Sequence, residues 1–321
     1  SVFQYTDTPE IYADNVAFRI RDLIVPELLS ETNHPLRHKQ ETLFYFPFNQ
    51  KKKIPITAYK EISSRLIALK FPLLFLNHLQ EITWETSETS GFYKKNTQNE
   101  LNGITKIKAT NQAGQREITT DFLKITEKEP TFQLPYALVF RLNDSGQIDN
   151  QHRYFAHCYF PTRVQMPFGF LLHAPFLLTD SREGIKLDND WNNHLIRLLS
   201  RLLFLKIKTL KTLGYLNTSF FEILPIQEKA FKDDISQFFQ PFFEETYLFF
   251  KNTKIDCLPI QGTGYTDFER GFLTYNSSLM ALLNAEQLVI ITKKSNARWI
   301  FFEKKTSQFV IRFFEKILLE R

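Results

Sequence analysis

Cysteine, methionine and glycine are scarce in this 321-residue chain, at two, two and ten residues. Cys158 and Cys257 lie far apart, each in an apolar setting. That excludes a disulfide framework and a zinc site built on paired cysteines, and it fits the free thiols of a cytoplasmic protein. No apolar run reaches the ~18 residues that a membrane-crossing helix needs. The longest candidate, 71–79, follows Lys70 and contains His78. The opening residues show no secretory n-region and h-region, so no membrane partner is expected. A strong charge of either sign is also missing. Lys and Arg number 40 against 35 Asp and Glu, a net charge of +5. Such a surplus permits contact with nucleic acid but does not predict it.

Phenylalanine is what the chain has in excess, with 33 residues. Together with 43% hydrophobic and 23% charged residues, this rules out a disordered chain and points to aromatic-packed interiors or interaction surfaces.

Val16, Phe18 and Ile20 alternate with Ala17, Arg19 and Arg21, so 1–25 reads as strand–turn–strand. A Pro-bounded loop, 26–41, leads to a strand opening at Thr42 and ended by Pro47. Thr57 is expected to cap a helix running to Leu69, with Ile62, Leu66 and Leu69 on its apolar face. Residues 80–85 read as the first strand of a new domain, and a polar loop, 86–102, comes next. Strands at 104–110 and 116–124 then flank a turn, Asn111 to Gln115, giving a meander. Further strands are expected at 136–142, 154–160 and 168–178, the last an aromatic run buried as one strand or two. Trp191, Leu195, Leu198, Leu199, Leu202 and Leu203 recur at helical spacing, with Asp188, Asn189 and Asp190 before them as capping residues. Beyond Gly214 the pattern predicts helices at 228–239, from Pro241, near 276–283 and at 306–319, with strands at 255–260 and 288–292. The fold class is therefore α/β in the α+β sense, a mixed sheet backed by helices. Three domains are expected: 1–78, 79–210 and 211–321.

Two strings carry a family resemblance. Pro175-Phe176-Leu177-Leu178-Thr179-Asp180-Ser181-Arg182, with Trp191-Asn192 beyond it, resembles the middle segment of the sacsin-type ATPases. These are relatives of the ninety-kilodalton heat-shock chaperone in the Bergerat-fold (GHKL) superfamily. Tyr159-Phe160-Pro161-Thr162 and Met166-Pro167-Phe168 resemble the approach to that segment. Ser1-Val2-Phe3, with Thr6-Asp7-Thr8-Pro9-Glu10-Ile11 after it, resembles the stretch just past the family's glycine-rich ATP lid.

The resemblance implies a Bergerat domain remnant, a middle domain and a small α/β extension. It assigns Arg182 to the terminal phosphate of ATP, and Ser1 and Thr42 to the nucleotide site. Glu41 stands where the family has glycine before that threonine, and a plain strand threonine is the other reading of Thr42. The cofactors implied are ATP and Mg2+ in an intact parent whose main binding motifs lie upstream, so the fragment alone would be inactive. The function implied is an ATP-dependent switch or chaperone-like ATPase, of a kind also found in bacterial defence modules, with a protein client or partner and room for a homodimer. The rival reading is a non-enzymatic scaffold or interaction module that contacts nucleic acid.

Other signals are weaker. His157 and Cys158 are adjacent on a predicted strand and point to opposite faces, so with His152 they make a poor metal site. His173 lies in an apolar strand and reads as a core histidine. Gly262-Thr263-Gly264 lacks the lysine and third glycine of a phosphate loop and reads as a turn.

Overall fold

A computed structural model describes residues 2–226, 233–274, 277–303 and 306–320; the side chains of 99, 100 and 277 lie outside the description. It divides into two compact units, the first comprising 1–70, 83–91 and 113–115, the second 71–82, 92–112 and 116–321.

The first unit holds an antiparallel sheet of β1 (Glu10–Ala13), β2 (Val16–Arg21), β3 (Val25–Leu28) and β4 (Leu43–Tyr45), ordered β3-β2-β1-β4. Its helix α1 (Pro55–Ala68) starts two residues before Thr57. Ile54 is the N-cap and makes no side-chain bond; Pro55 opens the helix instead. Proline's fixed φ suits the first turn, where its missing N–H costs nothing.

The large mixed sheet has eight strands: β5 (Glu81–Glu85), β6 (Ser90–Leu101), β7 (Ile104–Ala113), β8 (Arg116–Lys128), β9 (Pro135–Arg141), β10 (Phe155–Cys158), β11 (Phe160–Gln165) and β12 (Leu171–His173). Their order is β11-β10-β12-β9-β8-β7-β6-β5. Strand β6 occupies the span expected to be a polar loop. Along its described middle only Tyr93 and Lys95 are buried, so the buried row is too short and too polar to show an apolar alternation. Of the aromatic run 168–178, only Leu171–His173 pairs as strand, although Phe168, Phe170, Ala174 and Phe176 are all buried. Pro167 precedes the run and Pro175 interrupts it, and proline cannot complete a sheet ladder.

The second unit continues with helices α2 (Asp190–Leu205), α3 (Ile207–Thr212), α4 (Thr218–Glu222), α5 (Asp234–Phe238), α6 (Gln240–Asn252), α7 (Ser277–Leu282), α8 (Ala285–Thr292) and α9 (Gln308–Leu319). The expected helix at 228–239 survives as α5, and 227–232 lie outside the described residues. Residues 288–292, expected as a strand, belong to α8. Asn284 and Gln287 form a reciprocal capping box there, and that local start outweighs the β-branched run Val289-Ile290-Ile291.

The sheet is packed on both faces. Leu123, Ile125, Leu138, Phe140 and Leu172 meet Leu195, Leu199, Leu202 and Leu203 of α2 on one side. Phe122, Ala137, Val139 and Leu171 meet Leu74 and Phe75 on the other. Alternate residues of one strand thus serve different layers, as the pleat requires. Beyond α2 a phenylalanine cluster fills the interior, with Phe204, Phe221, Phe268 and Phe314 around Phe250. Gly262 and Gly264, at φ of 90° and 122°, form a turn between residues 258–259 and 265–266. Among the described residues no helix is long and apolar enough to cross a membrane.

Candidate functional site: the Arg182 loop

The loop carrying Arg182 leaves the aromatic run at Leu177 and returns at Lys186. An isolated antiparallel bridge joins Leu178 to Ile185. The Thr179 N–H donates to the Gly184 carbonyl at 2.9 Å, and the Gly184 N–H donates to Thr179 Oγ1 at 3.1 Å. The Arg182 N–H donates to the Thr179 carbonyl at 2.8 Å, closing a tight turn. Arg182 itself takes φ of 59°, the left-handed region that side chains with a Cβ avoid. Such a conformation costs on the order of 1 kcal/mol and persists only where its surroundings impose it.

The start of α2 holds the base of this loop. Asn189 caps the helix by accepting from the Asn192 N–H. Asn192, with 0% exposure, turns its side chain back onto the base of the loop. Its Oδ1 accepts from the Leu177 N–H at 2.8 Å, and its Nδ2 donates to the carbonyls of Leu177 and Lys186, each at 2.8 Å. The Trp191 indole N–H donates to the Pro175 carbonyl at 3.0 Å, while its ring meets Phe132 edge-on at 5.5 Å. The turn bearing Phe132 is in turn held by Glu129, whose carboxylate accepts from the Thr131 and Phe132 N–H groups and from His194. The Phe132 N–H bond, first among these, holds the Glu129 carboxyl below its usual range. On the loop's other side, Arg163 of β11 donates its N–H to the Glu183 carbonyl at 2.6 Å and pairs with the Glu183 carboxylate at 3.0 Å.

Glu183 is thereby engaged, and the exposed Arg182 guanidinium has no hydrogen-bond or ion-pair partner among the described residues. Five N–H donors in a fixed fork are free to meet a planar or tetrahedral oxyanion. Between Thr179 and Asp190 the acids Asp180, Glu183, Asp188 and Asp190 outnumber the bases Arg182 and Lys186. Any hold on an anion must come from close contact by the guanidinium rather than from a broad positive field.

Asn192→Ala should lower stability by about 1–3 kcal/mol, because it strands three backbone groups at the loop's base. Urea unfolding measures the loss, and amide exchange of 178–185 should show it concentrated in the loop.

The other expected site residues fall elsewhere. Thr42 is exposed and immediately precedes β4, an edge strand of the first unit. Ser1 lies outside the described residues. Arg182 and Thr42 belong to different units. His157 and Cys158 do face opposite ways: His157 lies 5.0 Å from the Phe75 ring, while Cys158 Sγ reaches the Phe176 carbonyl. Among the described residues no group of three or more His, Cys, Asp or Glu could hold a metal. Sequence reasoning misses the Asn192 clamp and the Arg163–Glu183 pair. The Trp-Asn pair is visible as a string, but nothing in sequence shows which way a helix-start asparagine turns. No protein-family model, curated protein or solved structure matches this chain.

Proposed function

We infer that this chain contributes the arginine of an ATP-dependent conformational switch of the Bergerat type, with Arg182 meeting the γ-phosphate. The observation carrying this reading is the unpaired guanidinium on a loop that Asn192 and Trp191 tie shut. A loop stiffened at its base and presenting one free fork suits a group that must arrive at a fixed point when charge builds on a transferring phosphoryl group. The unpaired fork of Arg182 suits a phosphate oxyanion. ATP with Mg2+ would supply the phosphoryl group and its metal. The chain's part is therefore to orient and neutralise.

ATP turnover by the complete gene product, measured beside Arg182→Ala, tests the reading. Turnover should be lost and ATP binding spared. A gene product that neither binds nor hydrolyses ATP, or a variant with unchanged turnover, overturns it.

A scaffold function is the second reading. The first unit exposes Ile24, Leu28, Leu36 and Phe44, which favours a role in binding another protein. ATP-independent association that survives Arg182→Ala would select it.

A further inference from the structure

One group of buried and half-buried titratable side chains plays no part in the Arg182 loop. Residues 71–76 come directly after Lys70, where the main segment of the first unit ends, and they lie on the sheet face opposite α2. Two lysines fasten them. Lys95 Nζ of β6 donates to the Leu76 carbonyl at 2.7 Å, and Lys124 Nζ of β8 donates to the Leu74 carbonyl at 3.0 Å. The ring of Phe75 lies between two imidazoles, 5.0 Å from His157 of β10 and 4.9 Å from His173 of β12, with Lys124 Nζ 5.6 Å above it. His157 and His173 are direct register partners on parallel strands.

No carboxylate pairs with either ammonium among the described residues. The other titratable groups here are Tyr159, whose ring lies 4.7 Å from His173, the partly buried Tyr154, on which Arg141 and Asp149 act, and Tyr93, buried two residues before Lys95 on β6. Strands β7 and β9 contribute only Ile107, Ala109, Ala137 and Val139 to the core here. His78 and Lys70 flank the segment in the chain and are exposed. The Tyr159 N–H donates to His173 Nδ1 at 3.1 Å, which places the ring proton on Nε2. That Nε2 is buried and has no partner. A second proton would have to go to Nδ1, which already accepts from the Tyr159 N–H.

We propose that residues 71–76 are an acid-released latch, a connector seated on a carboxylate-free nest of two lysines and two histidines and freed when the imidazoles take up protons. Burial pushes His157 down to about 4, and burial reinforced by the charge of Lys124 pushes His173 down to about 3. Both lie below the ordinary value near 6.5, so the open segment binds protons that the closed one does not. The histidines' contribution to closure is fully present above that ordinary value and weakens as pH falls toward 4. Lys124, lowered to about 8 by burial and by Lys95, acts in the same direction at the alkaline end.

Amide exchange of 71–76, corrected for intrinsic rate, tests the latch. Protection should fall by about 10²–10³-fold between pH ~7.5 and ~5.0, while that of β9 falls far less. The double variant His157→Gln/His173→Gln should flatten the response. A fall shared equally by β9, or none at all, overturns the proposal. Should the double variant not fold, imidazole titration in the wild-type protein decides. Both rings should stay neutral at pH ~5 while the segment is closed, and titration of both near 6.5 with the segment still protected overturns it.

Discussion

Arg182→Lys in the complete gene product should lower ATP turnover nearly as far as Arg182→Ala does, by about 10³-fold or more, with ATP binding spared. Lysine keeps the charge but offers a compact ammonium in place of a planar fork. If the arginine's task is to grip two oxygens of a transferring phosphoryl group, a point charge on a different stem cannot reproduce it. The backbone makes the comparison clean. Arg182 sits at φ of 59°, and lysine and alanine both carry a Cβ, so the strain of the turn is nearly equal in all three. The side chain is exposed and unpaired, so unfolding by urea should be the same for the three proteins to within about 0.5 kcal/mol. Turnover lost in both variants at unchanged stability identifies the fork. Turnover kept in lysine but lost in alanine reduces the role to charge alone, and turnover kept in both removes the ATPase reading.

The loop shows why only part of this site is legible in sequence. The helix behind it is readable because its six apolar positions repeat at helical spacing and Asn189 is a strong capping residue. The bury-and-return path of Leu177 to Lys186 is not readable, since it depends on an asparagine side chain reaching backward from the next element. Asparagine in the first helical turn is a common surface residue, and burial decides what it does.

The same limit applies on the sheet. The apolar pattern, with the Asn111–Gln115 turn, reveals β7, β8 and β9, although β8 also buries Thr120. It conceals β6, where Lys95 occupies a buried position and commits its ammonium to the Leu76 carbonyl. Lys124 is hidden differently, inside a strand that the pattern does reveal. A lysine within a strand is ordinarily a solvent-facing residue, and under the covering segment 71–76 this one is half-buried. Polar side chains that serve long-range contacts thus break the pattern from which sheets are read, and they mark the loop clamp and the latch alike.

Phe250→Ala should cost about 3–5 kcal/mol, a large share of the roughly 5–15 kcal/mol that holds a folded domain together. Phe250 of α6 has 0% exposure. Its ring lies 5.0 Å from Phe314 and 5.1 Å from Phe249, both edge-on, and 5.8 Å from Phe204 and Phe268. Alanine would remove the ring that all of these share and leave a cavity that interlocked neighbours fill poorly. Edge-on pairs add about 0.5–1.5 kcal/mol each beyond area, but one ring serving several pairs does not sum them. Phe44→Ala is the control. Phe44 is 58% exposed on the edge strand β4, and its loss should shift stability by no more than about 0.5 kcal/mol. Urea midpoints at fixed m-value separate the two. Equal shifts would mean that the rings around α6 are not a close-packed core. The contrast also gives the 33 phenylalanines two distinct meanings. Those around α6 hold the second unit together, and those like Phe44 lie exposed on the first unit.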